Sequence, residues 1–562
     1  MQKLYTVEGE KLNNDPDIIP WNVYPRPLME RDSFLNLCGW WDFSVEFGGR
    51  PLPVKSSRIR VPFPPESLLS GIDTHFPEKS ELIYKRKVSI PEGFRSDRLL
   101  LHVDAADQHA EVYINDEKTG GHDGGYQHFT LDISQAPDEF TLKIVTRDDL
   151  RDLREPYGKQ RIKRGGMWYT PFSGLWQSVW IESVKDIYVK ELVINTDRSE
   201  ARISTGDEKH NGKIIVHCPS GDESHDLVAG EAVIAPGEIR NWTPDDPYLY
   251  RFELSLDSGD TARSYFALRD ISIDSIDGVP EICLNGKPFF FNGLLDQGYF
   301  SDGLSTPADP SLYEKDIKIL KDLGFNTLRK HVKVDPDLYY AACDRLGMVV
   351  FQDMVNNGHY SFLLDTALPN VGFPNRDDRK TRVPPNVRTF FIRRAEETVK
   401  QLRSFPCIMY WTIFNEGWGQ FDSETVFNRL KELLPDSVID AASGWHDMGV
   451  SDVKSLHRYN EKYIFQPFDK PIILSECGGF AFKVEDHVYN PGKVYGYGTI
   501  KEYDKLEERI EKLYEEEIIP CVGKGLSGSI YTQVSDVEDE INGIMTYDRR
   551  VVKIRKRIEV RR

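Results

Sequence analysis

The chain has 562 residues, more than one hydrophobic core can organise, so it reads as several domains. Its 90 acidic residues against 71 lysines and arginines leave a net charge of −19, which argues against nucleic acid and against an anionic membrane surface as partners. No apolar stretch reaches the length of a membrane span, the opening residues carry no apolar signal segment, and the 7 cysteines include no C-x-x-C pair; together these point to reduced thiols in a cytoplasmic protein.

Short alternating runs separated by Gly, Pro and Asp fill residues 1–184, for example Leu99-Leu-Leu-His-Val-Asp104 and Phe140-Thr-Leu-Lys-Ile-Val-Thr146. This is the pattern of an all-β sandwich. Strands continue through 185–270, a length that suits one immunoglobulin-like β-sandwich. From 271 to 562 strand-like runs alternate with amphipathic helices, which predicts parallel strands and crossover helices. One helix is expected from Pro310, with Asp309 as its cap, Tyr313, Ile317 and Leu320 as its buried stripe and Gly324 as its stop. Another is expected from Tyr503, with Leu506, Ile510 and Leu513 on one face.

Eight candidate strands recur in this last region: 289–292, 325–329, 348–353, 408–416, 437–442, 453–459, 472–476 and 528–533. Eight such units in about 290 residues predict a (β/α)8 TIM barrel, whose active site lies at the C-terminal ends of the strands. Two of these runs deliver a glutamate to that end, Glu416 on the fourth strand and Glu476 on the seventh. Fourth and seventh positions face each other across a barrel mouth. Carboxyls about 5–5.5 Å apart there would suit retaining glycoside hydrolysis, one attacking the anomeric carbon and one protonating the leaving oxygen. Trp411, Phe414 and Trp418 around Glu416 suggest an apolar setting that raises its pKa, as a general acid requires. Either glutamate alone would read as a solvated loop residue; the two together favour chemistry. Asn415 could hydrogen-bond a sugar 2-hydroxyl. Asp296, His359, Trp445 and Gln533 lie on or just after other strands and are candidate sugar contacts. The loop 356–385 after the third strand is expected to shape what the mouth accepts.

The Asn415-Glu416 pair and Ser475-Glu476-Cys-Gly-Gly479 resemble the acid/base and nucleophile motifs of glycoside hydrolase family 2, the β-galactosidase and β-glucuronidase family. The resemblance extends along the chain. Tyr24-Pro-Arg-Pro-Leu28 and Asn36-Leu-Cys-Gly-Trp-Trp-Asp-Phe43 are similar to the opening of the family's jelly roll, and Tyr169 to Trp180 to its last strands. Pro244-Asp-Asp-Pro-Tyr-Leu-Tyr250 resembles its immunoglobulin-like domain. The resemblance implies a jelly-roll sugar-binding domain over 1–184 and an exo-glycosidase barrel. It also implies Glu476 as nucleophile, Glu416 as acid/base and Arg329 beside the nucleophile. Tyr459 would steady that carboxylate, with His457 pointing inward on the same face. It implies no cofactor and no required metal ion, a small glycoside or oligosaccharide substrate, and a possible homo-oligomer, since many members assemble from identical subunits.

The sugar is where the chain departs from the family. Arg329-Lys-His331 carries its histidine one residue away from the usual place. Met167-Trp168-Tyr169 stands where several members bring an aspartate from the jelly roll. The segment Asp536 to Tyr547 is acidic and lacks the Asn-x-Lys motif with which glucuronidases hold a carboxylate. It reads as a solvated rim loop that would repel a uronic acid, so a neutral sugar and a β-galactosidase-like activity are expected. The alternatives are β-glucuronidase, galacturonidase or α-L-arabinopyranosidase activity. A non-catalytic carbohydrate-binding protein on a hydrolase fold would have been favoured by loss of either carboxylate, and both are present.

Overall fold

Strict alternation along Gly39–Phe47 sends Trp41, Phe43 and Val45 to one face and Asp42 and Ser44 to the other, so the strand can be buried on one side only. It belongs to a seven-stranded antiparallel sheet that faces a four-stranded one across a core including Tyr84, Leu101 and Ile144. Residues 193–266 form a second sandwich, three strands against four, closed on Ile203, Ile214, Tyr250 and Phe252. Arg31 ties the two together: its guanidinium lies 3.0 Å from Asp260 of the second sandwich and 3.4 Å from Glu182 of the first. The structure, a computed structural model, describes residues 1–370, 373, 376–459 and 462–562. Part of the loop 356–385 therefore lies outside the described residues. All seven cysteines are free thiols, and no described helix is long and apolar enough to cross a membrane.

The rest is a barrel of eight parallel strands: β1 (Phe291–Asp296), β2 (Thr327–Lys330), β3 (Val349–Asp353), β4 (Ile408–Asn415), β5 (Val438–Ser443), β6 (Lys454–Arg458), β7 (Ile472–Cys477) and β8 (Leu526–Tyr531). Their spatial order is 5-4-3-2-1-8-7-6, so the ladder closes between β1 and β8. Among the described residues it is open between β5 and β6. There Asp452 N–H donates to Ile439 C=O at 3.0 Å, and the Ser443 and Ser455 hydroxyls meet at 3.2 Å. Phe291, Phe351, Tyr410 and Ile473 fill the interior near the strand starts. A preceding hairpin adds Ile271, Ile282 and Leu284 to that cluster, plugging the end away from the mouth.

The helices are α1 (Ser311–Asp322), α2 (Asp337–Leu346), α3 (Pro385–Leu402), α4 (Ser423–Leu433) and α5 (Tyr503–Leu513). The α1 stripe is Leu312, Tyr313, Ile317 and Leu320, and Asp309 accepts from the Ser311 N–H at its start. In α5, Leu506, Ile510 and Leu513 are buried. The expectation of a helix after every strand fails: among the described residues β5, β6 and β8 have none. Loops occupy those places, and the ones after β5 and β6 bring Trp445 and Tyr459 to the mouth.

Candidate active site

β4 ends by leaving the strand conformation. Glu416 has φ 52, a left-handed backbone that costs a non-glycine residue about 1–2 kcal/mol. Its N–H donates to Ser443 C=O at 3.0 Å, and Trp418 N–H donates back to Asn415 C=O at 3.0 Å. On a straight strand Asn415 and Glu416 would face opposite ways; the turn brings both to the mouth. Across from them Glu476 ends β7. One oxygen of each carboxylate and a nitrogen of His457 all lie within 4.8 Å of one another. That trio is also the one group among the described residues whose His, Cys, Asp or Glu donors converge closely enough for a metal ion. A cation there would occupy the oxygens that glycosidic chemistry needs.

The two carboxylates have unlike surroundings. Arg329, fully buried on β2, places Nη1 3.2 Å from Glu476 Oε1 and 3.0 Å from Ser475 C=O, and Nη2 2.9 Å from Asn415 Oδ1. Asp353 at the end of β3 holds Arg329 Nε at 3.0 Å and His331 Nδ1 at 3.0 Å. The Tyr459 hydroxyl donates to Glu476 Oε2 at 2.5 Å, and burial keeps that phenol far above its ordinary pKa, so it remains a donor. Its ring stacks on Tyr497 at 3.8 Å, a fit that requires Gly479, where a Cβ would stand 2.7 Å from the Tyr497 ring. Burial raises the Glu476 pKa, but His457, His331, Arg329 and the Tyr459 bond together outweigh it and bring it to about 2. Glu476 is held bare.

Glu416 has fewer partners. His457 Nδ1 lies 2.7 Å from its Oε1 and the Tyr459 hydroxyl 3.4 Å away. The other His457 nitrogen meets Ser443 Oγ at 3.0 Å and stands 3.6 Å from Glu476, so the imidazole bridges both acids across the β5–β6 seam. Trp445 edges that imidazole at 5.5 Å, its indole N–H donating to Asp365 C=O. The apolar setting expected around Glu416 is there only in part: Trp418, two residues on, is buried against Trp168 and Tyr360. Phe414 stacks on Phe391 of α3, and Trp411 packs in the same outer layer, because both point away from the barrel axis.

This barrel has known counterparts. Residues 277–551 match the family model described as "Glycosyl hydrolases family 2, TIM barrel domain". The barrel belongs to glycoside hydrolase family 2. The chain is 24% identical to a β-galactosidase of Thermoanaerobacter pseudethanolicus over 377 residues, which span 63% of this chain and 47% of that protein. It is 24% identical to a β-glucuronidase of Chlorocebus aethiops over 548 residues, 81% of this chain and 80% of that one. A solved β-D-glucuronidase of Dictyoglomus thermophilum superposes with TM-score 0.71 at 18% identity, covering 94% of this chain and 96% of the other, a likeness of fold.

Within this family 2 barrel the structure brings Asn415, Glu416, Glu476, Arg329, His331, His457 and Tyr459 together, with Trp445 at the edge. It leaves other expected contacts outside. Asp296 is committed to an ion pair with Lys330 at 2.7 Å, and both point toward α2, where Lys330 lies over the Tyr339 ring. Gln533 lies beyond the end of β8, which stops at Tyr531, and is fully buried against Asn542 at 2.9 Å. His359 is exposed and lines a cavity of about 390 Å³ with Tyr360 and Leu153, without a bond to either glutamate.

The acidic loop is not a solvated rim. Asp536, Glu538, Asp539 and Glu540 are all buried. Lys553 meets Asp536 at 2.5 Å, Arg164 lies 3.2 Å from both Glu538 and Asp539, and Tyr169 donates to Glu540 at 2.6 Å. Asp353, Ser443 and Tyr497 join the site without any motif having marked them. Asp353 does end an apolar run, the same signal that exposed Glu416 and Glu476.

Proposed function

We propose that the protein is a retaining exo-β-glycosidase. The observation that carries this reading is the pair of strand-end carboxylates, with oxygens within 4.8 Å and with the Arg329 guanidinium bonded to Glu476 alone of the two. Inverting enzymes need about 6.5–9.5 Å between carboxyls to admit a water, whereas retaining enzymes use about 5–5.5 Å. In the first step Glu476 attacks the anomeric carbon while Glu416 gives its proton to the glycosidic oxygen, and the aglycone departs. In the second, Glu416 takes a proton from water, the water oxygen bonds to the anomeric carbon, and the bond to Glu476 breaks. Asn415, its carbonyl held by Arg329, keeps its amide donors free for a neighbouring sugar hydroxyl.

The terminal sugar is read as a β-linked pyranose, with a uronic acid placed ahead of β-galactose. Two features of the loop after β8 count against a uronide, its acidity and its lack of the Asn-x-Lys motif. Asp536, Glu538 and Asp539 of that loop are paired with Lys553 and Arg164 and Glu540 is held by the Tyr169 hydroxyl, which weakens the repulsion. The β-glucuronidase that aligns along 81% of this chain supports the uronide, and the β-galactosidase keeps the neutral sugar as the second reading. The test is turnover of 4-nitrophenyl glycosides with the first-formed sugar anomer followed by NMR. Release of β-sugar is expected; release of the α-anomer first, or equal turnover by Glu476→Gln, would overturn the mechanism.

A further inference from the structure

The segment 157–169 belongs to the N-terminal sandwich but is laid over the barrel mouth. Tyr157 N–H donates to Asn356 C=O at 2.9 Å, and the Tyr157 hydroxyl bridges Gly358 C=O at 2.7 Å and the Trp418 indole at 3.0 Å. Gly158 follows at φ 57, so close that a Cβ would stand 2.8 Å from Val332 C=O, next to His331. Lys159 C=O then accepts from Tyr169 N–H at 3.0 Å, and the Tyr169 hydroxyl reaches Glu540. Lys159 is thus fixed between the His331 side of the mouth and the Glu540 side. Its ammonium lies 5.8 Å from the centre of the Trp168 ring, which meets Trp418, two residues past Glu416, at 4.9 Å.

Among the described residues this half-buried ammonium has no hydrogen bond and no ion pair, in a chain with 90 acids. Of the neighbouring cations, Arg164 and Lys330 each have an acid against them, and Arg161 is spread over the Trp168 and Tyr360 rings at 4.0 and 5.6 Å. The charge of Lys159 is felt on both flanks: after burial it is the largest influence holding down the His331 pKa, and it opposes the burial that raises Glu540. His331 shares Asp353 with Arg329, which reaches Glu476, so the His331 flank of Lys159 is the nucleophile's side of the pocket. A cation drawn partly out of water without a partner is costly, and that cost is relieved by an incoming anion. A neutral sugar leaves it unrelieved.

We propose that Lys159, supplied by the N-terminal sandwich and not by the barrel, recognises the carboxylate of a uronic acid sugar and sets the substrate class of this site. This rests on the exo-glycosidase reading and deepens it. The experiment compares the full-length protein with Lys159→Met and Lys159→Arg on 4-nitrophenyl β-D-glucuronide and β-D-galacturonide, their methyl esters, and the β-D-galactoside. For the better uronide, Lys159→Met is expected to lower kcat/KM by about 100-fold, mostly through KM, and Lys159→Arg to recover most of it. The methyl ester, which has no charge to read, should be cleaved alike by wild type and Lys159→Met. Preference of the wild type for the galactoside over both uronides would overturn the proposal while leaving the glycosidase reading intact. So would equal losses on acid and ester. Absence of turnover on every aryl glycoside would remove the glycosidase reading itself, and this proposal with it.

Discussion

The glutamates at the ends of β4 and β7 are the same residue at comparable points of one barrel, yet almost nothing around them is alike. Glu476 receives Arg329 and Tyr459, and its pKa sits at about 2 despite full burial. Glu416 is turned out by a left-handed backbone, keeps 14% of its side chain exposed and has His457 as its close partner. The division of labour therefore resides in β2 and β6, which carry Arg329, His457 and the approach to Tyr459, and not in either glutamate. A carboxylate becomes a nucleophile or a proton shuttle according to what its neighbours hold against it.

The largest effect should come from removing each acid and offering azide in its place. Glu476→Ala is expected to lower turnover of an activated aryl glycoside by on the order of 10⁴-fold, because no glycosyl-enzyme can form. Azide should then displace the aglycone directly and give the α-glycosyl azide. Glu416→Ala should spare that activated substrate relative to one with a poor leaving group, and azide should yield the β-product through the intact intermediate at Glu476. Product stereochemistry read by NMR decides it: exchanged azides would mean exchanged roles.

A smaller loss is expected from the residue that sets the contrast. Arg329→Lys keeps a positive charge but not the fork that reaches Glu476, Asn415 and Asp353 together. Turnover should fall roughly 100-fold, as for loss of one preorganised electrostatic contact. Arg329→Met should in addition destabilise the fold by about 3–5 kcal/mol, since it strands buried Asp353 and Glu476 charges. Denaturant unfolding measures the second effect. Full stability with lost turnover in Arg329→Met would mean that the buried acids do not depend on it.

What could be read from the chain alone follows from how far each signal travels. Glu416 and Glu476 were legible because β-branched and aromatic runs ending in glycine mark buried parallel strands, and a strand end is a local property. Arg329 and Tyr459 were legible only through likeness to the family's motifs. The setting of Glu416 is only partly legible: Trp418 is buried two residues on, but Trp411 and Phe414, close in sequence, face the helices, and its close partner His457 lies 41 residues on. The acidic loop was misjudged for the same reason: Arg164, which neutralises it, lies about 370 residues upstream. Lys159 carried no signal at all, since a lysine without an ion pair among the described residues becomes visible only once the fold places the acids around it.

The donor that steadies Glu476 should set where activity fails in acid. Glu476 acts as a carboxylate, and its folded pKa of about 2 lies below the ordinary 4.5. It therefore stays ionised through the usual carboxylate range, and activity that depends on it is lost only as the pH falls toward 2. The same shift stabilises the fold fully above pH 4.5, a contribution that fades as the pH drops through the folded value. Tyr459→Phe removes one favourable contact, so the acidic limb of kcat/KM should move up by about one pH unit, with a modest loss at neutral pH. An acidic limb unmoved by Tyr459→Phe would assign it to another group.

The smallest effect is expected at a third acid that also ends a strand. Asp296 closes β1 as Glu476 closes β7, so position alone would make it a site residue. Its register partner is Lys330, one step past Arg329, and alternate residues of β2 face opposite ways. Arg329 points into the mouth and Lys330 points out toward α2, taking Asp296 with it. Asp296→Asn should therefore leave kcat/KM for the best aryl glycoside within about twofold. It should lower stability by about 1–3 kcal/mol through the weakened buried pair with Lys330, which still has Asp335 beside it. A tenfold loss of kcat/KM at unchanged stability would place Asp296 on the sugar. Which face of the strand end an acid occupies would then no longer separate the catalytic carboxylates from the structural one.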